Sequence, residues 1–408
     1  MMLINQPRNK MNVLLLEGVH PIAFKILQNE QFNVEYFKKS LPEKLLKEKI
    51  RTIHVLGMRS KTTISQEVLD CAENLIAIGS FCIGTNTIDK KCATEKAVVL
   101  FNEPYSNTRS VSELVICLII DLFRSITRQS MKLHNKIWEK TTAHSFEIRG
   151  KTLGIVGYGH IGSQVSVMAE SLGMNIIYYD VQDKLPLGNA RPVSTMKDLL
   201  KKADIVSLHV PENKSTKLMI GKKELDCMKR GSYLINTSRG SVVIIPDLAE
   251  ALEKKHLGGA ALDVYPEEPH TQRAVFETEL QQFDNVILTP HIAGSTLEAQ
   301  RMIAEKMSKK LVTFITTGST GRSINFPEVE LPVMMNKHRI IHIHKNIPGV
   351  LSKLNSVYSK NKINIEGQYL KTNETLGYVV TDVDQKLDSS MTEALVKVPG
   401  TIRVRILY

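Results

Sequence analysis

Residues 151–156 form an apolar, β-branched run that leads directly into Gly157-Tyr158-Gly159-His160-Ile161-Gly162 and then into a stretch of helical character, Ser163 to Leu172. A GxGxxG hexapeptide alone constrains little. Between a strand and a helix it constrains much more. Gly157 permits the tight turn, Gly159 lets an anion approach the backbone, and Gly162 lets helix and strand pack closely. The helix N-terminus adds oriented N–H groups for phosphate oxygens. Asp180 closes the next strand 18 residues beyond Gly162. There its carboxylate accepts hydrogen bonds from ribose hydroxyls and repels a 2′-phosphate. The expected cofactor is NAD, with Lys184 the only nearby cation that favours NADP.

Other strand candidates alternate with helices on both sides of this motif. Val13–Leu16, His54–Met58, Leu75–Gly79 and Ala97–Phe101 precede it; Leu153–Gly157, Ile176–Asp180, Ile205–His209, Tyr233–Thr237, Ala260–Val264 and Val286–Thr289 form the second series. Alternation of this kind predicts two doubly wound parallel sheets. Between them lies a long apolar helix, for which Ser110 and Glu113 suggest a capping box. A second helix follows the period Ile303, Met307, Leu311, Phe314 and closes at Gly318. The expected boundaries are 1–106 with 295–325 returning to it, 107–294 for the nucleotide domain, a linker at 326–337, and 338–408. Residues 318–332 carry Gly318, Gly321, Pro327 and Pro332 with little periodicity and read as a linker. The last unit spells β, α, β, β, α, β, a ferredoxin-like split pattern.

Composition excludes several classes. A chain of 408 residues with 42% hydrophobic and 23% charged residues is ordinary for a globular protein. The longest apolar run, 111–126, is interrupted by Ser112, Glu113, Asp121 and Arg124, so no membrane span is expected. No signal-peptide core follows Arg8 and Lys10, which points to the cytoplasm. Net charge is +11, from 53 basic and 42 acidic residues. The lysines are dispersed, so the surplus reads as a field attracting small anions and not as a nucleic-acid stripe. The five cysteines, at 71, 82, 92, 117 and 227, form no CxxC pair and read as small core side chains; no metal site is expected.

Three polar residues fall where open α/β sheets place ligands, at the C-terminal ends of later strands. Arg239 lies in Asn236-Thr237-Ser238-Arg239-Gly240, Glu268 in Asp263-Val264-Tyr265-Pro266-Glu267-Glu268-Pro269, and His291 in Thr289-Pro290-His291-Ile292-Ala293-Gly294-Ser295. Removing hydride from a carbinol requires a base for the O–H proton, and His291 suits it. Glu268 would orient the ring and raise its basicity. Arg239 offers a planar fork for a substrate carboxylate. The set predicts a dehydrogenase acting on a 2-hydroxy acid.

These residues, with Gly57-Met58-Arg59-Ser60, Phe81-Cys82-Ile83-Gly84-Thr85-Asn86 and Ser106-Asn107-Thr108-Arg109-Ser110-Val111, resemble the D-isomer-specific 2-hydroxyacid dehydrogenases over essentially the whole chain. The resemblance implies a flavodoxin-like substrate domain, a Rossmann NAD domain and a C-terminal ACT domain in a homotetramer. It implies oxidation of 3-phospho-D-glycerate to 3-phosphohydroxypyruvate, the entry to serine biosynthesis, with 2-oxoglutarate reduction a side activity of some relatives. Cofactor contacts would come from His160, Ile161, Asp180, Thr237, Ser238, Arg239, Asp263, His291, Ile292, Ala293 and Gly294. Arg59, Ser60, Asn107 and Lys140 would bind substrate, and His344, Asn346 and Asn364 would hold L-serine as feedback inhibitor. Ala293 departs from the glycine of many relatives. Three alternatives stay open: a glyoxylate or hydroxypyruvate reductase with the same triad and no need of Arg59, a non-catalytic NAD sensor, and an ACT module kept only for pairing.

Overall fold

The structure, a computed structural model, describes residues 2–4, 7–269, 273–332 and 338–407. It divides into two compact units, Met1–Pro104 with Gln300–Tyr408, and Tyr105–Ala299. The first short strand, β1 (Met2–Ile4), belongs to the C-terminal sheet. The first parallel sheet comprises β2 (Asn12–Leu15), β3 (Asn33–Tyr36), β4 (Val55–Met58), β5 (Ala77–Ser80) and β6 (Val99–Asn102), in the order β3-β2-β4-β5-β6. This is the flavodoxin-like order. β4 and β5 are buried along their whole length, which explains their unbroken apolar runs. β3 was absent from the sequence reading: as a half-exposed edge strand, Asn-Val-Glu-Tyr, it has no apolar run to betray it.

The second unit contains β7 (Thr152–Val156), β8 (Asn175–Tyr179), β9 (Arg191–Pro192), β10 (Ile205–Leu208), β11 (Tyr233–Asn236), β12 (Gly259–Leu262) and β13 (Val286–Leu288). All pairings are parallel, in the order β13-β12-β11-β10-β7-β8-β9. Strand order reverses between β7 and β10, and the glycine loop leaves β7 at that switch point. The predicted capping box does not form. The helix Thr108–Arg124 starts two residues before Ser110, whose hydroxyl pairs with Thr296 Oγ1 at 2.7 Å, while Glu113 binds Arg109. The core reading of the cysteines also needs correction, since Cys92 is buried but Cys117 is exposed.

The C-terminal sheet has the expected split pattern: β14 (His338–Lys345), β15 (Ile365–Thr372), β16 (Leu376–Val383) and β17 (Thr401–Leu407), with β1 added in parallel beside β17. One face of it shares a hydrophobic core with the first sheet and the helix Leu297–Thr317, through Ile341, Ile343, Tyr378 and Val380 packed with Met307, Leu311 and Phe314. Gly79 in β5 lets that helix approach: a Cβ there would lie 3.0 Å from Leu311 Cδ1. The helix C-terminus leaves carbonyls without intrahelical partners, and side chains of the C-terminal sheet satisfy them. Arg405 donates to Phe314 and Ile315 O, Arg339 Nη1 to Thr317 O at 2.8 Å, and Tyr378 Oη to Gly318 O at 2.6 Å.

The expected linker is ordered as far as residue 332. Phe326 and Val329 are buried, Thr320 Oγ1 donates to Pro327 O at 2.6 Å, and the Asn325 side chain bonds Leu100 N on β6 and Val98 O just before it. Side-chain amides and hydroxyls hold this strap, and hydrophobic periodicity does not register them. Residues 333–337 of the expected linker lie outside the described residues.

Arg339 is 1% exposed and forked onto Asp382, Nε to Oδ1 at 2.6 Å and Nη2 to Oδ2 at 2.8 Å. Removing one partner of a buried pair strands the other charge, at about 3–5 kcal/mol. Asp382→Ala is therefore expected to lower the urea midpoint of the unit by an equivalent amount. A midpoint unchanged in urea melts would show that the pair does not hold the sheet in place.

Candidate active site

The glycine loop is built as its residues require. Gly157 has φ +94°, and a Cβ there would meet His209 O at 2.7 Å. At Gly162 a Cβ would lie 2.3 Å from Gly157 O, so glycine is what lets helix and strand close together. A Cβ at Gly159, the N-cap of the helix His160–Ser171, would meet nothing within 4 Å, so this face of the loop is open. Asp180 follows β8; its Oδ2 accepts from Tyr158 N at 2.8 Å and its Oδ1 from Gln182 N at 2.9 Å, which fixes the carboxylate against the loop. Lys184 Nζ donates to Gln182 Oε1 at 2.7 Å.

Two residues not singled out in the sequence join this region. Tyr105 packs its ring on His160, centroids 4.2 Å apart. His209 follows β10 at the switch point, with Nε2 2.9 Å from Ser207 Oγ and Nδ1 buried without a partner; burial pulls its pKa to about 4 and keeps it neutral. Its position at a strand end beside the strand-order reversal was the available signal. Thr237 Oγ1, on the Asn236–Gly240 turn, is likewise buried and unpartnered. An open anion-binding loop, an anchored aspartate and unpaired polar atoms around the switch point fit a dinucleotide.

The three residues expected to be catalytic lie on the loops after β11, β12 and β13. Asn236 Oδ1 accepts from Ser238 N and Oγ, and its Nδ2 donates to Arg239 O, turning the chain sharply. Gly240 is indispensable to the turn: a Cβ would fall 1.8 Å from Tyr265 C, so here the chain lies directly on the loop that carries Glu268. Arg239 is half-buried, with Nη1 on Ser238 O at 2.6 Å. Asp263, fully buried, spends both oxygens on the His291 turn: Oδ1 accepts from Thr289 Oγ1 and Ile292 N, and Oδ2 from Ala293 N at 2.9 Å. The structure thus shows Asp263 as the support of that turn. Ala293 has no positive φ, so the turn accepts its Cβ.

His291 itself has φ +53°, a left-handed backbone that a non-glycine residue keeps only when its surroundings demand it. Its Nδ1 lies 2.7 Å from Glu268 Oε2. A carboxylate only accepts, so Nδ1 carries the proton and Nε2 is the basic nitrogen. The Glu268 hydrogen bond raises the His291 pKa above the usual value; burial opposes it, and the charges of Glu268 and Asp263 add to it. Burial pushes Glu268 up, but the hydrogen bond and charge of His291, Tyr265 N–H and the Arg239 charge hold it below the usual range. About half of the His291 side chain is exposed, leaving the imidazole open to a reactant.

Asn107 belongs to the same region. It is the N-cap of the helix Thr108–Arg124 but makes no side-chain cap; instead its Nδ2 packs against Gly294, where a Cβ would come within 2.3 Å, and its Oδ1 is buried and unpartnered. In the first unit Arg59 and Ser60 follow β4 at the C-terminal end of the sheet, Arg59 half-buried and Ser60 exposed. No hydrogen bond or ion pair to the Arg59 guanidinium is found among the described residues. Lys140 lies in an exposed segment of the second unit.

His344 is buried near the end of β14, and the neighbouring Asn346 donates to Asn373 O at 2.8 Å. Asn364 is not brought to them. It precedes Ile365, which registers with Val383 and so with His338, whereas His344 registers with Gly377 at the other end of the sheet. At ~3.3 Å per residue the two ends are ~20 Å apart.

Comparisons with known proteins agree with this reading. Residues 116–293 match the D-isomer specific 2-hydroxyacid dehydrogenase NAD binding domain, and residues 340–403 the AHAS small subunit-like ACT domain. The chain is 49% identical to the D-3-phosphoglycerate dehydrogenase of Dictyostelium discoideum over 402 residues, 98% of each chain. It is 49% identical to that of Escherichia coli (strain K12) over 408 residues, 99% of each. Among solved structures, D-lactate dehydrogenase from Aquifex aeolicus, complexed with NAD and lactic acid, superposes with a TM-score of 0.64 at 27% identity, covering 74% of this chain and 95% of that one. NAD is the cofactor, and the ACT domain stands at the C-terminus. With near-half identity over its whole length, and with the Arg239, Glu268 and His291 arrangement in place, the chain belongs to the D-3-phosphoglycerate dehydrogenase family, within the D-isomer-specific 2-hydroxyacid dehydrogenases.

Proposed function

We propose that this protein oxidises 3-phospho-D-glycerate to 3-phosphohydroxypyruvate with NAD in the first step of L-serine synthesis. The observation that carries the reading is the His291 imidazole, held by Glu268 with its Nε2 free as the base. NAD supplies the hydride acceptor. The chain's own groups do the rest. His291 Nε2 takes the hydroxyl proton as the carbonyl forms, and Glu268 stabilises the imidazolium so produced. Arg239 holds the carboxylate and polarises the adjacent oxygen. Asn107, with its unpaired Oδ1, adds a polar contact for substrate, and Arg59, Ser60 and Lys140 bind its anionic groups. A half-buried guanidinium with no protein partner suits a phosphate better than a neutral side chain, which favours phosphoglycerate over glyoxylate.

Self-association, as a homotetramer, is part of the proposal. The segment 126–146 exposes Ile126, Met131, Leu133, Ile137, Trp138 and Phe146, with Trp138 81% exposed. An apolar row of this kind marks an interaction surface. L-serine as effector fits the same arrangement. His344 with Asn346, and Asn364, stand at opposite ends of one sheet, so a site made of all three takes them from two copies. Five free cysteines suit a reducing cytoplasm.

His291→Ala is expected to cut kcat by about 10²–10⁴-fold while NADH fluorescence titration shows unchanged binding; near-normal turnover would remove His291 from the mechanism. Oxidation needs the neutral ring, so kcat/KM falls as pH drops through the raised His291 pKa. Glu268→Gln removes the charge that raises it. The acid limb of the profile then moves to lower pH, with a plateau reduced roughly tenfold or more; a limb that stays in place would dissociate Glu268 from the base. Millimolar L-serine should inhibit NADH formation, and Asn364→Ala should abolish that response. Rates unaffected by serine would leave the ACT domain a role in assembly alone.

A further inference from the structure

Glu17, two residues past the end of β2, stands out among the groups left unused by this mechanism. It is 8% exposed, carries a left-handed backbone at φ +63°, and is followed by Gly18 at φ +62°. A buried carboxylate on a strained backbone demands compensation. The compensation comes from one loop: Glu17 Oε2 accepts from Lys61 N at 2.9 Å and Oε1 from Thr62 N at 2.6 Å. Those are the two amides that immediately follow Arg59 and Ser60. The main chain pins the same residue elsewhere, with Leu16 N on Gly57 O, Glu17 N on Lys39 O and Gly18 N on Phe37 O. Two strand-end loops are thereby stapled across one residue.

We propose that Glu17 is a positioning residue for substrate binding: by holding the amides of Lys61 and Thr62 it fixes the loop that presents Arg59 and Ser60 to the substrate's anionic group. This rests on the reading of Arg59 as an anion-binding residue. Both carboxylate oxygens accept from backbone N–H groups, and among the described residues no ion pair joins Glu17 to Arg59, so Glu17 orders the loop without engaging the guanidinium. The two charges share one neighbourhood, since both act on the Cys82 thiol: burial pushes that thiol up, Glu17 adds to the rise and Arg59 opposes it. The side chain's shape explains why an acid is present. Two adjacent donors need two acceptors at the end of one side chain, and a glutamine amide offers one acceptor and a clashing N–H. A neutral isostere therefore releases one amide, and with it the orientation of the loop.

The test compares Glu17→Gln and Glu17→Asp with Arg59→Ala and the Glu17→Gln/Arg59→Ala double variant, all in the full chain at saturating NAD. Glu17→Gln is expected to raise KM for 3-phosphoglycerate about tenfold with kcat within about threefold of the parent, the signature of lost substrate binding. Glu17→Asp, which keeps the charge but cannot span both amides, should lie between. NADH affinity, which reports on the other unit, should not move. In the double variant KM should rise no further than with Arg59→Ala alone, because Glu17 acts through Arg59. A KM within twofold of the parent for Glu17→Gln, while Arg59→Ala raises it, overturns the proposal and leaves the anion reading standing. Full additivity in the double variant, or a parallel fall in kcat and NADH affinity, overturns it as well. Should Arg59→Ala leave KM unchanged, the anion reading fails and takes the proposal with it. If Glu17→Gln does not fold, Glu17→Asp carries the KM comparison; if neither folds, Glu17 serves the fold alone and the proposal is wrong.

Discussion

The active-site geometry rests on one buried carboxylate. Asp263 ends β12 with no exposed surface, and an ion there is tolerable only because three donors of a single turn surround it. Those donors, Thr289 Oγ1, Ile292 N and Ala293 N, bracket His291, whose own backbone is forced into the left-handed region. The interaction works in both directions: the turn makes the buried charge acceptable, and the charge makes the strained turn acceptable. Glu268 then has only to fix the ring, and Gly240 only to let its loop lie against the Arg239 turn. Support of the turn and orientation of the ring are thus divided between two carboxylates on neighbouring loops.

A comparable economy holds the first unit together. Carbonyls at the C-terminus of the helix Leu297–Thr317 find their donors in Arg339, Arg405 and Tyr378 of the C-terminal sheet. The ACT sheet is consequently no appendage on a flexible tether. Its inner face completes a helix end and a hydrophobic core that the first sheet begins, so a disturbance in it reaches residues packed on β5 and β6.

Much of this was legible in the sequence where a residue type has one sufficient reason to be where it is. Gly157, Gly162 and Asp180 do what a strand–glycine–helix unit requires, and the order of the second sheet follows from that unit. His291 and Glu268 could be paired because a base needs an orienting acid. What escaped notice depends on long-range partners. Asp263 reads as one more strand-end acid until its three donors are in view, and Glu17 as a polar residue before a glycine. The strap 318–332 looks unstructured because Asn325 ties it to Leu100 N and Val98 O far back in the chain, and Thr320 closes it internally on Pro327 O. Edge strand β3 was hidden by exposure, and the Ser110–Glu113 capping box failed because Asn107 opens the helix three residues earlier than the spacing suggested.

The strand β1 bears on how copies of this chain can add together. An open sheet edge offers unpaired N–H and C=O groups to any similar edge, and a sheet with two such edges can propagate without limit. Here β1, only Met2–Ile4, forms the edge on the β17 side, so the eight-residue β15 is the longer of the two edges of the C-terminal sheet. Joining β15 to β15 uses up the longer edge of each partner and leaves the short β1 edges facing outward. A three-residue edge offers few backbone groups to a further strand, so β1 blunts growth through this sheet beyond two copies.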